Sequence, residues 1–327
     1  MRRRRSKALR FAVSVAILFT VRRARAQTGF AVEGGVELLL PTGARGLGLA
    51  QAIVARGVGS ETIWINPAMI ARGPREVAFN IAQQSSGAIV ADATGAIVWP
   101  VRRVGAFALS LRYLNEGNQP ALNTAGQEVG AFTYTGTIAA GTFAAPFGSR
   151  LAAGLTLKVL QFNAQCTGGN CDIPSGQPRT AALDFGAQYF LTKDSVIAVG
   201  ASGLNVGLPL QVNDAPQSDL LPSRAVIGVA VAPKFSQLPK EVHMHAEADM
   251  IKRLSGGGPG YRFGGELGWQ DLYAARVGYQ LNGYSGSGPT FGLGFATGKL
   301  HVDFAQILTD ASAEGGKPTF LSLRYVF

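Results

Sequence analysis

The stretch "HMHAEAD", residues 243–249, places His243, His245, Glu247 and Asp249 at every second position. On a β-strand these four side chains leave from one face. Imidazoles beside carboxylates are the donor set for zinc or copper, and also the equipment of general acid–base chemistry. Strand geometry argues against a single centre. Alternate residues are separated by about 6.6–6.8 Å along the axis, so four of them cannot reach one ion. A pair of these histidines joined by His301 or a carboxylate is the rival, metal-binding reading. No serine has a local histidine partner, so hydrolysis is not indicated. The preferred reading is a wet face of a strand, with no catalytic residue, no metal and no cofactor, and the chain is not expected to be an enzyme. Glu266, Arg276, His301 and Asp303 supply similar polar groups. Glu266 and Arg276 fall on consecutive strands and are placed to pair. Cys166 and Cys171, in "CTGGNC", are expected to form a short-loop disulfide if the chain is exported. No second cysteine pair supports a zinc site.

What must position these residues follows from charge and hydropathy. The net charge of +10 is local: residues 1–26 hold nine Lys and Arg and no acid, which leaves 21 basic against 20 acidic residues beyond them. A nucleic-acid partner therefore loses its main support. Residues 1–26 read as a secretory signal: "MRRRRSKALR" is basic, "FAVSVAILFTV" is apolar, and "ARA" ends at Ala26. Eleven apolar residues are too few for a membrane anchor, which needs roughly 20. The remaining chain has no long apolar run, yet over the full sequence charged residues are only 15% and mean hydropathy is +0.16. An exported chain this apolar, without a membrane helix, fits a closed β-barrel.

Period-2 alternation agrees. Leu151, Ala153, Leu155, Leu157 and Val159 share one face, opposite Thr156 and Lys158. Leu183, Phe185, Ala187 and Tyr189 oppose Asp184 and Gln188, and Tyr261, Phe263, Leu267 and Trp269 oppose Arg262 and Glu266. Segments of about ten residues, apolar out and polar in, are the mark of a membrane barrel. Fourteen are expected, at 76–84, 87–98, 103–114, 131–145, 150–163, 180–191, 195–207, 223–234, 241–252, 261–270, 272–282, 289–298, 299–309 and 319–327. Short connections at 146–149, 192–194, 270–271 and 298–299 alternate with longer ones at 115–130, 164–179, 208–222 and 309–318. A tight connection at 84–87 breaks that rule. The chain ends in "FLSLRYVF", with Tyr325 and Phe327 on one face, in the manner of a barrel-assembly signal.

Residues 42–75 are not strand-like. "GARGLG" lacks the βαβ context of a phosphate loop. Asn66 can close a side-chain turn and Pro67 fixes the backbone after it. Together, "GARGLG" (43–48), "IWINPA" (63–68, with Trp64), "GASGLNVG" (200–207), "LPSRAVIGVAV" (221–231), "YRFGGELG" (261–268), "AARVGYQ" (274–280), "TFGLGF" (290–295), "HVDFA" (301–305) and "LSLRYVF" (321–327) resemble the PorV/PorQ family of FadL-like outer-membrane barrels. The resemblance covers most of residues 42–327. It departs at "GVGSE", where acidic residues are usual, and at Met69-Ile70, where Gly-Leu is usual.

The resemblance implies an all-β protein: a transmembrane antiparallel barrel of about 14 strands with an N-terminal hatch. The expected division is 1–26 signal peptide, 27–75 hatch and 76–327 barrel, in the outer membrane of a Gram-negative-type bacterium. Trp64, Asn66 and Pro67 become hatch or ligand candidates, and Tyr325 and Phe327 the assembly signal. PorV-like relatives imply a secretion-associated role with exported cargo proteins as partners. FadL-like relatives imply the alternative, a transporter of hydrophobic ligands. Either way the other partners expected are outer-membrane lipid and the barrel-assembly machinery.

Overall fold

Alternating strands that cannot leave an edge unpaired in lipid must close on themselves. The computed structural model describes residues 33–83, 91–123, 125–168, 176–211, 218–235, 237–283, 286–309 and 317–327. The expected signal peptide and the tight 84–87 connection lie outside these residues. So does Cys171, the expected partner of Cys166.

Fourteen strands form one closed antiparallel barrel, in sequence order, with β1 sealed against β14. They are β1 (Glu76–Gln83), β2 (Ala91–Val101), β3 (Gly105–Leu122), β4 (Glu128–Phe147), β5 (Leu151–Thr167), β6 (Arg179–Phe190) and β7 (Ile197–Gly207). The second half comprises β8 (Arg224–Val231), β9 (Val242–Arg253), β10 (Pro259–Trp269), β11 (Tyr273–Gly283), β12 (Gly286–Thr297), β13 (Leu300–Ile307) and β14 (Thr319–Val326). This is the expected strand number. The apolar phase faces outward: Leu109, Leu155, Phe185, Phe263 and Val277 are all exposed. The polar phase is buried inside, where Arg112, Lys158, Asp184 and Glu76 are wholly enclosed. A charge on the outer face near mid-bilayer would cost about 2–4 kcal/mol, so the two phases cannot be exchanged.

The structure differs from the expected spans most at β3–β4, and β5 also runs on to Thr167 rather than 163. β3 and β4 run on to Leu122 and back from Glu128, through the span expected as loop 115–130. Register shifts between Asn115 and Asn118 mark the change. Beyond it the hairpin has no strict in–out burial pattern, so the alternation that identifies a membrane strand fades while the backbone pairing continues.

Candidate functional site

A chain segment without a sheet, placed inside a barrel, needs partners for its own N–H and C=O groups. Residues 33–72 are such a segment. It contains only short elements: a 3-10 turn at Val36–Leu39, helix α1 (Ala44–Gly48), and 3-10 turns at Ser60–Trp64 and Pro67–Arg72. Its partners are inward-facing side chains. Ala44 N donates to Ser322 Oγ at 2.7 Å, and Ala50 N to Thr290 Oγ1 at 3.1 Å. Ser60 N donates to Glu76 Oε1 at 2.6 Å. Gln188 Nε2 donates to Ala55 O at 2.9 Å. Arg112 donates to Leu40 O, Thr42 Oγ1 and Pro41 O while paired with Asp92.

The opening stretch belongs to this set. Val54 N donates to Asp249 Oδ2 at 3.1 Å. Arg56 N donates to Glu247 Oε2 at 3.0 Å, and Ala55 N also donates to Glu247. His245 Nε2 lies 3.3 Å from Glu247 Oε2, inside the barrel. His243 is elsewhere: it lies at the barrel's end, half exposed, 3.6 Å from Asp271. The two histidines therefore do not converge. Glu247 and Asp249 act as acceptors that fix a turn of the inner segment.

Glu266 and Arg276 are direct cross-strand partners and pair at 2.5 Å. Arg276 also reaches Asp303 at 2.6 Å. Arg45 of α1 joins them through Glu266 at 3.2 Å, and lies 3.9 Å from Glu61. Burial pushes the Glu61 carboxyl up to about 7, against the pull of Arg45 and of the Gly46 N–H it accepts. His301 is only part-buried, opposite Arg324. The eight polar candidates thus divide into a holding pair with His245 alongside, a charge network, and two histidines apart from either.

Asn66 and Pro67 lie deep in the lumen. Asn66 Nδ2 donates to Val54 O at 2.7 Å and Ala187 O at 3.0 Å, while its Oδ1 accepts from Ala68 N at 3.1 Å. It caps the Pro67–Arg72 turn, with Pro67 at the first position. The Trp64 ring lies 5.0 Å from Lys158 Nζ and 5.9 Å from the Arg112 guanidinium. Tyr325 and Phe327 face outward at the closing strand, edge to face at 5.0 Å.

The wall carries a second adaptation, which sequence reasoning missed. Glycines stand where the inner segment's backbone touches the strands. Gly264 and Gly278 are cross-strand partners, and a Cβ on Gly264 would meet the Leu49 carbonyl oxygen at 2.7 Å. Gly200 and Gly228 are partners against Val54, and Gly154 and Gly186 against Pro67. All lie in the inward phase. Glycine in that phase on successive strands was the signal available in the sequence.

Above this layer, toward the end carrying the long β3–β4 hairpin, part of the inner wall turns apolar. Leu114, Leu160 and Phe162 are inward-facing and fully buried, with Tyr134 stacked on Phe162 at 5.7 Å. Leu38, Leu210 and Leu221 belong to one cluster with Leu160 and Phe162. The lumen of a membrane barrel is ordinarily polar, so this patch is a departure from the rule.

No protein-family model matches the chain, and no curated protein sequence matches it. Solved structures do share its fold. The toluene transporter TodX of P. putida superposes with a TM-score of 0.57 at 12% identity, over 88% of this chain and 99% of that one. The monoaromatic hydrocarbon channel CymD gives 0.60 at 12% identity, over 88% and 98%. A FadL homologue of Pseudomonas aeruginosa gives 0.53 at 13% identity, over 91% and 100%. The fold is therefore that of the FadL-like barrels, and the chain is a β-barrel of the Gram-negative outer membrane.

Proposed function

We propose that this protein is an outer-membrane channel for hydrophobic small molecules, with residues 33–72 acting as its hatch. The observation that carries this reading is the apolar patch of Leu114, Tyr134, Leu160 and Phe162 on the inner wall of the barrel, which Leu38 of the hatch covers. An aqueous pore gains nothing from apolar lining, whereas a hydrophobic solute is stabilised by roughly 25 cal/mol for each Å² it removes from water. The neighbours that are toluene and monoaromatic hydrocarbon channels support the same reading. The secretion-linked expectation rests on the sequence resemblance alone.

Cells lacking other hydrocarbon channels, supplied with this protein, should take up labelled toluene or a medium-length alkane faster than cells with an empty vector. Phe162→Asp should abolish the gain, because it places a charge in the apolar patch, while Leu157→Ala on the outer face should preserve it. Uptake equal to the empty vector for every hydrophobic probe would remove the proposal.

A further inference from the structure

The connections at the two ends of the barrel have opposite charge. Topology puts every connection that follows an even-numbered strand on one rim, where the chain also enters β1. Those six connections contain seven basic residues and three acidic ones. Arg102 and Arg103 occupy the β2–β3 turn, Arg150 the β4–β5 turn and Lys193 the β6–β7 turn. Lys234 and Lys240 flank the β8–β9 turn, and Lys299 lies in the β12–β13 turn. By sequence, the connections that follow odd-numbered strands contain five acidic residues, four of them outside the described residues, and one basic residue, Lys317, while Arg179, Lys252 and Arg253 are exposed at the strand ends there.

Most of these basic side chains are unoccupied. Arg102, Arg103, Lys193, Lys234, Lys240 and Lys299 are exposed, and among the described residues none forms an ion pair. Beside them the outer surface is apolar. Val104, Phe147, Leu191 and Leu272 are exposed at or next to the same turns. Arg75 stacks 3.5 Å over the exposed Trp99 ring. The β8–β9 turn combines both features, carrying exposed Phe235 and Leu238 between its two lysines.

We propose that this rim binds the phosphate groups of anionic phospholipids in the leaflet it faces. The charges are distributed around the barrel, just beyond a band of apolar side chains. That is the level at which headgroup phosphates lie when the band is in hydrocarbon. An acidic protein would be met better by one concentrated patch than by seven cations spread over five turns. In the β8–β9 turn, Phe235 and Leu238 enter the boundary beneath the headgroups while Lys234 and Lys240 hold the phosphates. The rim is on the short-turn side, which in outer-membrane barrels faces the periplasm. The partner is therefore the phospholipid of the inner leaflet.

The folded barrel, reconstituted with equal phosphatidylglycerol and phosphatidylcholine and then stripped with mild detergent, reports the lipid it retains. Phosphatidylglycerol should be kept over phosphatidylcholine by about threefold or more. The preference should shrink as salt rises from about 0.05 to about 0.5 M, since exposed charges are screened. Replacing Arg102, Arg103, Lys193 and Lys299 together by Ser should cut it by half or more, and replacing Arg179 and Lys317 on the opposite rim should leave it unchanged. Equal retention of both lipids, or a preference that the fourfold variant keeps undiminished, overturns the proposal. Equal retention together with salt-sensitive binding of polyglutamate would assign the rim to an acidic protein instead. If the fourfold variant does not fold, Lys234→Ser with Lys240→Ser, confined to the longest turn, and the salt series on the unaltered protein decide the matter.

Discussion

Asn66 is wholly buried and joins three parts of the structure with one amide: the Val54 carbonyl, the Ala187 carbonyl of β6 and the Ala68 N–H. Asn66→Ala removes one hydrogen bond from each of these groups, at about 1–3 kcal/mol for each buried group left unsatisfied. The hatch should become sensitive to protease or to hydrogen exchange, while the barrel still shows heat-modifiable migration. Asn66→Asp should be worse, because it turns an acceptor toward two carbonyl oxygens. An unaltered exchange pattern in residues 42–72 of either variant would refute the assignment. Glu61 gives a pH prediction. Its carboxyl is raised to about 7 by burial, so the folded state holds a proton that the unfolded state has lost. That contribution to stability is complete below about pH 4.5 and disappears as pH rises through about 7. Hatch protection, corrected for intrinsic exchange, should fall across that window and be flat in Glu61→Gln. The sequence made Asn66 and Pro67 visible because a side-chain turn is local chemistry. Arg45 and Glu61 were not visible, since Glu266, the partner of Arg45, is brought near only by closure of the barrel, and Glu61 enters the network through Arg45.

Strands were the legible elements, because the bilayer imposes period 2 on each of them. β9 shows this: Val242–Arg253 replaces the expected 241–252, and its inward phase contains His245, Glu247 and Asp249 as expected. The outer part of β3–β4 was illegible for the converse reason, since a hairpin without a strict in–out pattern has no alternation to read. The glycines of the wall went unread because a missing side chain leaves no mark in hydropathy, although it decides where the hatch backbone fits. Gly264 and Gly265 make a test within one strand. Gly264 points at the Leu49 backbone, whereas a Cβ on Gly265 would meet nothing nearer than 4.0 Å. Gly264→Val must move backbone, which should cost at least the 1–3 kcal/mol typical of overpacking. It should release the hatch, seen as a loss of protease resistance in residues 42–72. Gly265→Val, on a lipid-facing β-strand position, should be neutral. Equal effects of the two substitutions would contradict the close packing described.

At the scale of the whole molecule, the interior charges divide by partner. Arg112 pairs with Asp92 across β2–β3, and Lys158 with Asp184 across β5–β6 at 2.6 Å. Glu266, Arg276 and Asp303 pair among β10, β11 and β13. The first two pairs are neutralised within the wall itself, while the third group has one carboxylate more than cations and takes Arg45 of the hatch as its second cation. The hatch adds two ion pairs to the wall, Arg45 with Glu266 and Glu33 with Arg224, and otherwise backbone groups, which the wall receives through Asp249, Glu247, Gln188, Thr290 and Ser322. Breaking a buried ion pair costs about 3–5 kcal/mol, while returning a carboxylate or hydroxyl to water costs little. The barrel should therefore stand without its hatch. A chain lacking residues 33–72 should still assemble and migrate as a heat-modifiable barrel. Its lumen, now wet and lined by Arg112, Lys158 and Arg276, should conduct ions in planar bilayers, where the intact protein should be nearly closed. Failure of the shortened chain to assemble would show that the wall depends on the hatch. Assembly without conductance would show that residues 33–72 are not what closes the channel.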